Sequence, residues 1–113
     1  MDEVWWDEMK LTDKELEVMV VLWENGHPMT ATELIETSSN RTWKESSIYT
    51  ILNTLVRKGA AALTHYKPTM TNAARAYKPL ITSEDYTILS IEGMMQTGVR
   101  IDIPTLIARL RGV

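Results

Sequence analysis

Ser46, Thr50, Asn53 and Arg57 recur at i, i+4, i+7 and i+11, the spacing that lines side chains along one face of an α-helix. Ser47, Tyr49 and Thr54 flank that line. Together they offer hydroxyls, an amide, a phenol and a guanidinium, the groups that hydrogen-bond base edges and phosphates of duplex DNA. The face carries no carboxylate, and a merely solvated helix would be better served by Ala, Glu or Lys than by Ser, Thr and Asn. A groove contact explains that local cost.

The surrounding charges are segregated. Residues 1–40 carry −8, residues 41–78 carry +6 and residues 79–113 carry −1, for a net −3. Counterion release acts within a Debye length of roughly 10 Å. A local cationic face is therefore enough for nucleic acid even in a chain of pI 5.3. Arg41 and Lys44 before the helix and Lys67, Arg75 and Lys78 after it are the cations expected to meet phosphates.

Other chemistry finds little support. The chain has no cysteine, which excludes disulfides, thiolate zinc sites, iron–sulfur clusters and a thiol nucleophile. His27 and His65 have no partner four residues away, so a closed zinc site would have to recruit scattered carboxylates. The acid pairs Asp7-Glu8 and Glu84-Asp85 are adjacent in sequence and on a helix point in different directions. Neither a phosphate-binding glycine loop nor a nucleophile elbow is present. The expectation is a protein that is not an enzyme and uses no metal or cofactor. Asn40-Arg41-Thr42 matches a glycosylation sequon, but its threonine reads as a helix cap. No apolar run approaches the roughly 18 residues that cross a bilayer, and Met1-Asp2-Glu3 is not a basic leader. These features point to a soluble, cytoplasmic chain with no membrane partner.

At 113 residues, 44% of them apolar and 24% charged, the chain has room for one ordinary globular domain. Three capping boxes divide its first half. Thr12-Asp13-Lys14-Glu15 opens a helix with Leu16, Met19, Val20 and Trp23 on its stripe, closed by Asn25-Gly26-His27-Pro28. Thr30-Ala31-Thr32-Glu33 opens a short second helix ending near Ser38-Ser39-Asn40. Thr42-Trp43-Lys44-Glu45 opens the third, in which Ile48, Ile51, Leu52, Leu55 and Val56 face the core and Gly59 closes the end.

Ala61 to Lys67 and Ala74 to Ile81 then read as the strands of an irregular hairpin around a Thr69–Asn72 turn. A fourth helix starts at Ser83-Glu84-Asp85 and stops at Gly98, and Pro104 begins a last short one. The fold class predicted is mainly α, a winged helix-turn-helix with a three-helix core, a β-hairpin wing and C-terminal dimerisation helices. Its expected parts are a tail over 1–10, in which Trp5 and Trp6 pack on their own domain or a mate, a DNA-binding domain over 11–81, and a helical segment over 82–113. Tyr86, Leu89, Met94, Met95, Leu106, Ile107 and Leu110 give that segment more apolar surface than a lone domain covers, which points to a homodimer.

Several motifs together resemble the penicillinase repressor family, the BlaI/MecI/CopY group. They are Leu11-Thr12-Asp13-Lys14-Glu15-Leu16 with Val21-Leu22-Trp23, Thr30-Ala31-Thr32-Glu33-Leu34, Ser47-Ile48-Tyr49-Thr50-Ile51-Leu52-Asn53, Leu55-Val56-Arg57-Lys58-Gly59, and Arg75-Ala76-Tyr77 with Pro79-Leu80. The match runs in order from about residue 11 to residue 86. The resemblance implies a homodimeric repressor that binds a double-stranded, inverted-repeat operator, commonly with TACA/TGTA half-sites. Thr54 stands where the family usually has Arg, and Ala73-Ala74 where a Gly is common. The segment after residue 82 is short, lacks the cysteines of copper-responsive members and, with no Phe, lacks the Asn-Phe scissile bond of antibiotic-responsive ones. The inducer or sensor protein is accordingly left unassigned. The residues also admit another class, a winged-helix protein-interaction module whose acidic first 40 residues engage a basic partner without DNA. Seven bases against one acid around the third helix favour the DNA-binding reading.

Overall fold

The computed structural model describes residues 5–68 and 73–112, the side chains of 65–68 and 73 excepted. The segment expected as a tail forms a short helix, α1 (Trp5–Met9). In α2 (Asp13–Asn25) the Thr12 side chain accepts from the Glu15 N–H while the Glu15 side chain accepts from the Thr12 N–H, and Gly26, at φ 67°, ends the helix in the left-handed region. Thr30 and Glu33 repeat the same reciprocal cap at the start of α3 (Ala31–Thr37). Both boxes lie where the sequence puts them.

Thr30 also belongs to a strand the sequence does not announce, β1 (Met29–Thr30), which is too short to show any periodicity. The third helix, α4 (Ile48–Arg57), follows a 3-10 turn over Glu45–Ser47. Its last turn closes as a Schellman motif, with the Ala60 N–H donating to the Leu55 carbonyl, the Gly59 N–H donating to the Val56 carbonyl, and Gly59 at φ 80°.

β2 (Ala61–Pro68) and β3 (Ala73–Pro79) form the hairpin, and β1 adds to the free edge of β3, giving an antiparallel sheet in the order β1-β3-β2. Leu63 pairs with Tyr77 and Tyr66 with Arg75, so Thr64 and His65 together face a single residue and the ladder bulges there. The Thr69–Asn72 turn lies outside the described residues. α2, α3 and α4 bury Val18, Met19, Leu22, Leu34, Ile48, Ile51, Leu52 and Leu55 against Met29, Trp43, Ala60, Ala61 and Tyr77 in one core. The architecture is a winged helix-turn-helix.

Two apolar positions depart from the expected stripes. Spacing places Val20 and Val56 on the buried faces, yet each is 40% exposed. Val56 lies about 90° around α4 from the centre of its buried stripe, at the edge where burial is only partial. Trp43, expected only as part of a cap, is 3% exposed and completes the core instead.

Beyond the wing, the Thr82 side chain accepts from the Asp85 N–H to start α5 (Ser83–Gln96), Gly98 turns the chain at φ 101°, and Pro104 sits in the first turn of α6 (Ile103–Arg111). Gly93 is the one buried residue in α5, and α6 has none. These helices form an arm, and the molecule measures 54 × 34 × 23 Å. Among the described residues no helix is long and apolar enough to cross a membrane.

Candidate nucleic-acid interface

The buried residues Ile48, Ile51, Leu52 and Leu55 fix the rotation of α4, and that rotation decides what faces outward. Ser46, Tyr49, Thr50, Asn53 and Arg57 are exposed, Tyr49 to 59%, while Ser47 and Thr54 are half-buried at the flank. Most of the polar line read from spacing is thus one outer face of α4, while its first member, Ser46, lies in the preceding 3-10 turn. Val56, 40% exposed, joins that face on the Tyr49 side. Residue type alone did not mark it, because valine at that spacing reads as core.

The loop entering α4 is held differently from the expected cap. The Thr42 N–H donates to Glu17 Oε1 at 3.0 Å and its hydroxyl donates to Glu17 Oε2, so Thr42 ties the loop to α2 and caps nothing. No side chain caps the 3-10 turn. A carboxylate brought from 25 positions away outcompetes a local N–H because the bond is charge-assisted. The Thr42 hydroxyl, then the Thr42 N–H and the charge of Lys14 hold the Glu17 carboxyl below its ordinary 4.5 against a smaller desolvation effect. The charged form is the one bound. The tether is therefore fully present above pH 4.5 and is lost only as pH falls through the lowered folded value.

The cations divide into two groups. Arg41, expected at a phosphate, donates from Nη1 to the Ile35 and Ser38 carbonyls at 3.2 Å each and from Nη2 to Glu45 at 3.0 Å, and it covers the Trp43 ring at 5.2 Å. Most of its donors are committed to the turn between α3 and α4, and Glu45 serves as its partner and not as a cap. Lys44 is exposed just before the 3-10 turn, and Arg57 is exposed on the last turn of α4. Arg75 is exposed in the outer half of the wing. Lys67 pairs with Ala74 in that same half, and its side chain lies outside the described residues. Lys78 pairs with Ala62 near the base of the hairpin, beside Ser83, Glu84 and Asp85 of α5, away from the wing tip.

Lys58, next to Arg57, has the opposite fate. Its ammonium donates to Glu15 Oε1 at 2.6 Å and to the Lys10 carbonyl at 2.9 Å, and both side chains of the ion pair are mostly buried. It pins the end of α4 to the start of α2.

His27 is exposed with Nδ1 3.0 Å from the Pro28 carbonyl, the side chain of His65 lies outside the described residues, and among the described residues no cluster of ligand-type side chains could hold a metal. On the arm, Met94, Met95, Ile107 and Leu110 are exposed, whereas Leu89 and Leu106 are half-buried. Tyr86, expected on an intermolecular face, is taken up within the chain, its hydroxyl accepting from the Leu11 N–H at 2.8 Å. An aromatic ring with a polar tip is satisfied by a neighbour that already offers both surfaces.

The profile of the penicillinase repressor family matches residues 11–111. Over 77 residues the chain is 36% identical to the penicillinase repressor of Bacillus licheniformis, covering 68% of this chain and 56% of that protein. The chain therefore spans little more than half the length of the curated relative it matches. Among solved structures, the adhesin competence repressor of Streptococcus pyogenes superposes with a TM-score of 0.49 at 13% identity, over 93% of this chain and 78% of that one.

Proposed function

The chain belongs to the penicillinase repressor family, and from that premise we propose that it is a DNA-binding transcriptional repressor acting in the cytoplasm as a homodimer. In this reading α4 enters the major groove of an inverted-repeat operator and the β2–β3 wing lies along the flanking backbone. The observation that carries it is the outer face of α4. Tyr49, Thr50, Asn53 and Arg57 stand there exposed without a carboxylate, on a helix whose opposite face is locked into the core, and Ser46 in the preceding 3-10 turn is exposed as well. Binding this protein to genomic fragments and sequencing those retained tests the reading and supplies the operator. Failure to shift any duplex even at low ionic strength would leave a protein-interaction module as the surviving account.

Phosphate and base contacts separate by their salt dependence. Arg75→Ala weakens operator and scrambled duplex alike and lowers the slope of log affinity against log salt by about one, because one released counterion is lost. Mobility shifts at several salt concentrations measure it, and a loss confined to the operator would move Arg75 from the backbone to a base.

The exposed apolar residues of the arm support the dimer. Met94, Met95, Ile107 and Leu110 project from helices that otherwise bury little, and such a patch in water is unfavourable by roughly 25 cal/mol per Å². Sedimentation at micromolar concentration is expected to give twice the 12.9 kDa chain mass, and Ile107→Glu to give a monomer with weakened operator binding. A monomeric parent protein would sink this part of the reading.

A further inference from the structure

The N-terminal aromatic residues take no part in the interface above, yet they sit where the arm meets the winged domain. The Trp6 and Tyr86 ring centroids are 5.7 Å apart, Tyr86 and Trp23 6.3 Å, and Trp5 lies edge-on to Trp6 at 6.1 Å. Two hydrogen bonds fasten this stack to backbone. The Leu11 N–H donates to the Tyr86 hydroxyl at 2.8 Å, and the Trp23 indole N–H donates at 2.8 Å to the carbonyl of Ile81, just before α5. Farther along α5, Trp6 rests on Gly93, where an added Cβ would stand 2.3 Å from Trp6 Cγ. Trp6 thus touches α5 at two places, Tyr86 and Gly93, separated by two helical turns or about 10 Å. One point of contact lets a helix pivot, whereas two along its length fix its direction.

We propose that Trp6, Tyr86 and Gly93 are positioning residues that set the angle of the α5–α6 arm relative to α4, and through it the half-site spacing the repressor accepts. The second part rests on the homodimer proposed above. When two arms associate about a two-fold axis, the arm angle decides how far apart and at what rotation the two copies of α4 reach the duplex. Each base pair inserted between half-sites moves one of them about 3.4 Å along the axis and about 35° around it. A rigid joint selects one spacing, and a loose one accepts several.

The absence of cysteine makes the joint directly measurable. Glu36→Cys on α3 and Glu92→Cys on α5, both at exposed positions, give one spin-label pair in the full chain, diluted into unlabelled chain so that only distances within a molecule are read. The expected result is a narrow distance distribution in the parent, a broad one in Trp6→Ala, a narrow one regained in Trp6→Phe, and a shifted mean in Gly93→Ala. Operator half-sites recovered from the genomic selection are then joined by spacers varied one base pair at a time. The parent loses about tenfold in affinity one base pair from its optimum, and Trp6→Ala less than about threefold, because the loose joint spares the DNA from deforming. An unchanged distribution in Trp6→Ala overturns the proposal, as does a broadened one that keeps the parent's spacing preference. A parent that is monomeric or binds no duplex overturns the homodimeric repressor and with it the spacing role, while the label distances still decide whether these residues set the arm angle.

Discussion

Lys58→Met is expected to destabilise the folded chain by about 3 kcal/mol, near the low end for breaking a buried ion pair because both side chains retain some solvent contact. The substitution keeps most of the aliphatic stem and removes the ammonium that donates to Glu15 Oε1 and to the Lys10 carbonyl. Glu15 is left largely buried, with the Thr12 N–H still donating to it at 3.0 Å but with no countercharge in contact. Adding Glu15→Gln removes the stranded charge while keeping an acceptor for Thr12, so the double variant is expected to recover part of the loss. Denaturant unfolding of both singles and the double measures this coupling. A Lys58→Met loss within about 0.5 kcal/mol would show that the pair behaves as an ordinary surface contact.

The second large effect concerns recognition. Asn53→Ala is expected to lose about 1–3 kcal/mol on the operator, or roughly 5- to 150-fold, and little on scrambled duplex. Asn53 stands mid-face on α4 between Tyr49 and Arg57, and its amide can present a donor and an acceptor together to an adenine edge. Alanine preserves the helix, since it is the best helix former and Asn53 is exposed. Titrations of both variants on both duplexes at matched salt separate this base contact from the phosphate contact of Arg75. Equal loss on both duplexes would mean that α4 does not read bases.

Position within the fold also assigns different work to neighbours of similar type. Arg57 and Lys58 are adjacent cations at the end of one helix. The first is exposed on the outer face, and the second is turned back onto Glu15 because α2 begins beneath it. Arg41 and Lys44 divide likewise, the one closing the turn after α3 and the other facing solvent. Arg57 and Lys44 are thus the better placed of each pair for the phosphate contacts proposed.

What the sequence determined by itself was local. Thr12 with Glu15 and Thr30 with Glu33 form caps within three residues of one another, Gly26, Gly59 and Gly98 take the left-handed backbone that ends or follows helices, and Ile48, Ile51, Leu52 and Leu55 share a face whatever lies opposite. These features need no partner beyond a turn or two of chain, so spacing and residue type suffice, and they were enough to give the winged helix and the polar outer face of α4. What tertiary structure decided were competitions between a local partner and a distant one. Thr42 could cap its own helix, but Glu17 offers a charged acceptor. Tyr86 could face another molecule, but Leu11, Trp6 and Trp23 surround it, and β1 exists only because the edge of β3 is there to pair with it. In each case the winner is the partner supplying charge, ring surface or a free edge from tens of residues away, and its proximity is a property of the packed core that no short window of sequence contains.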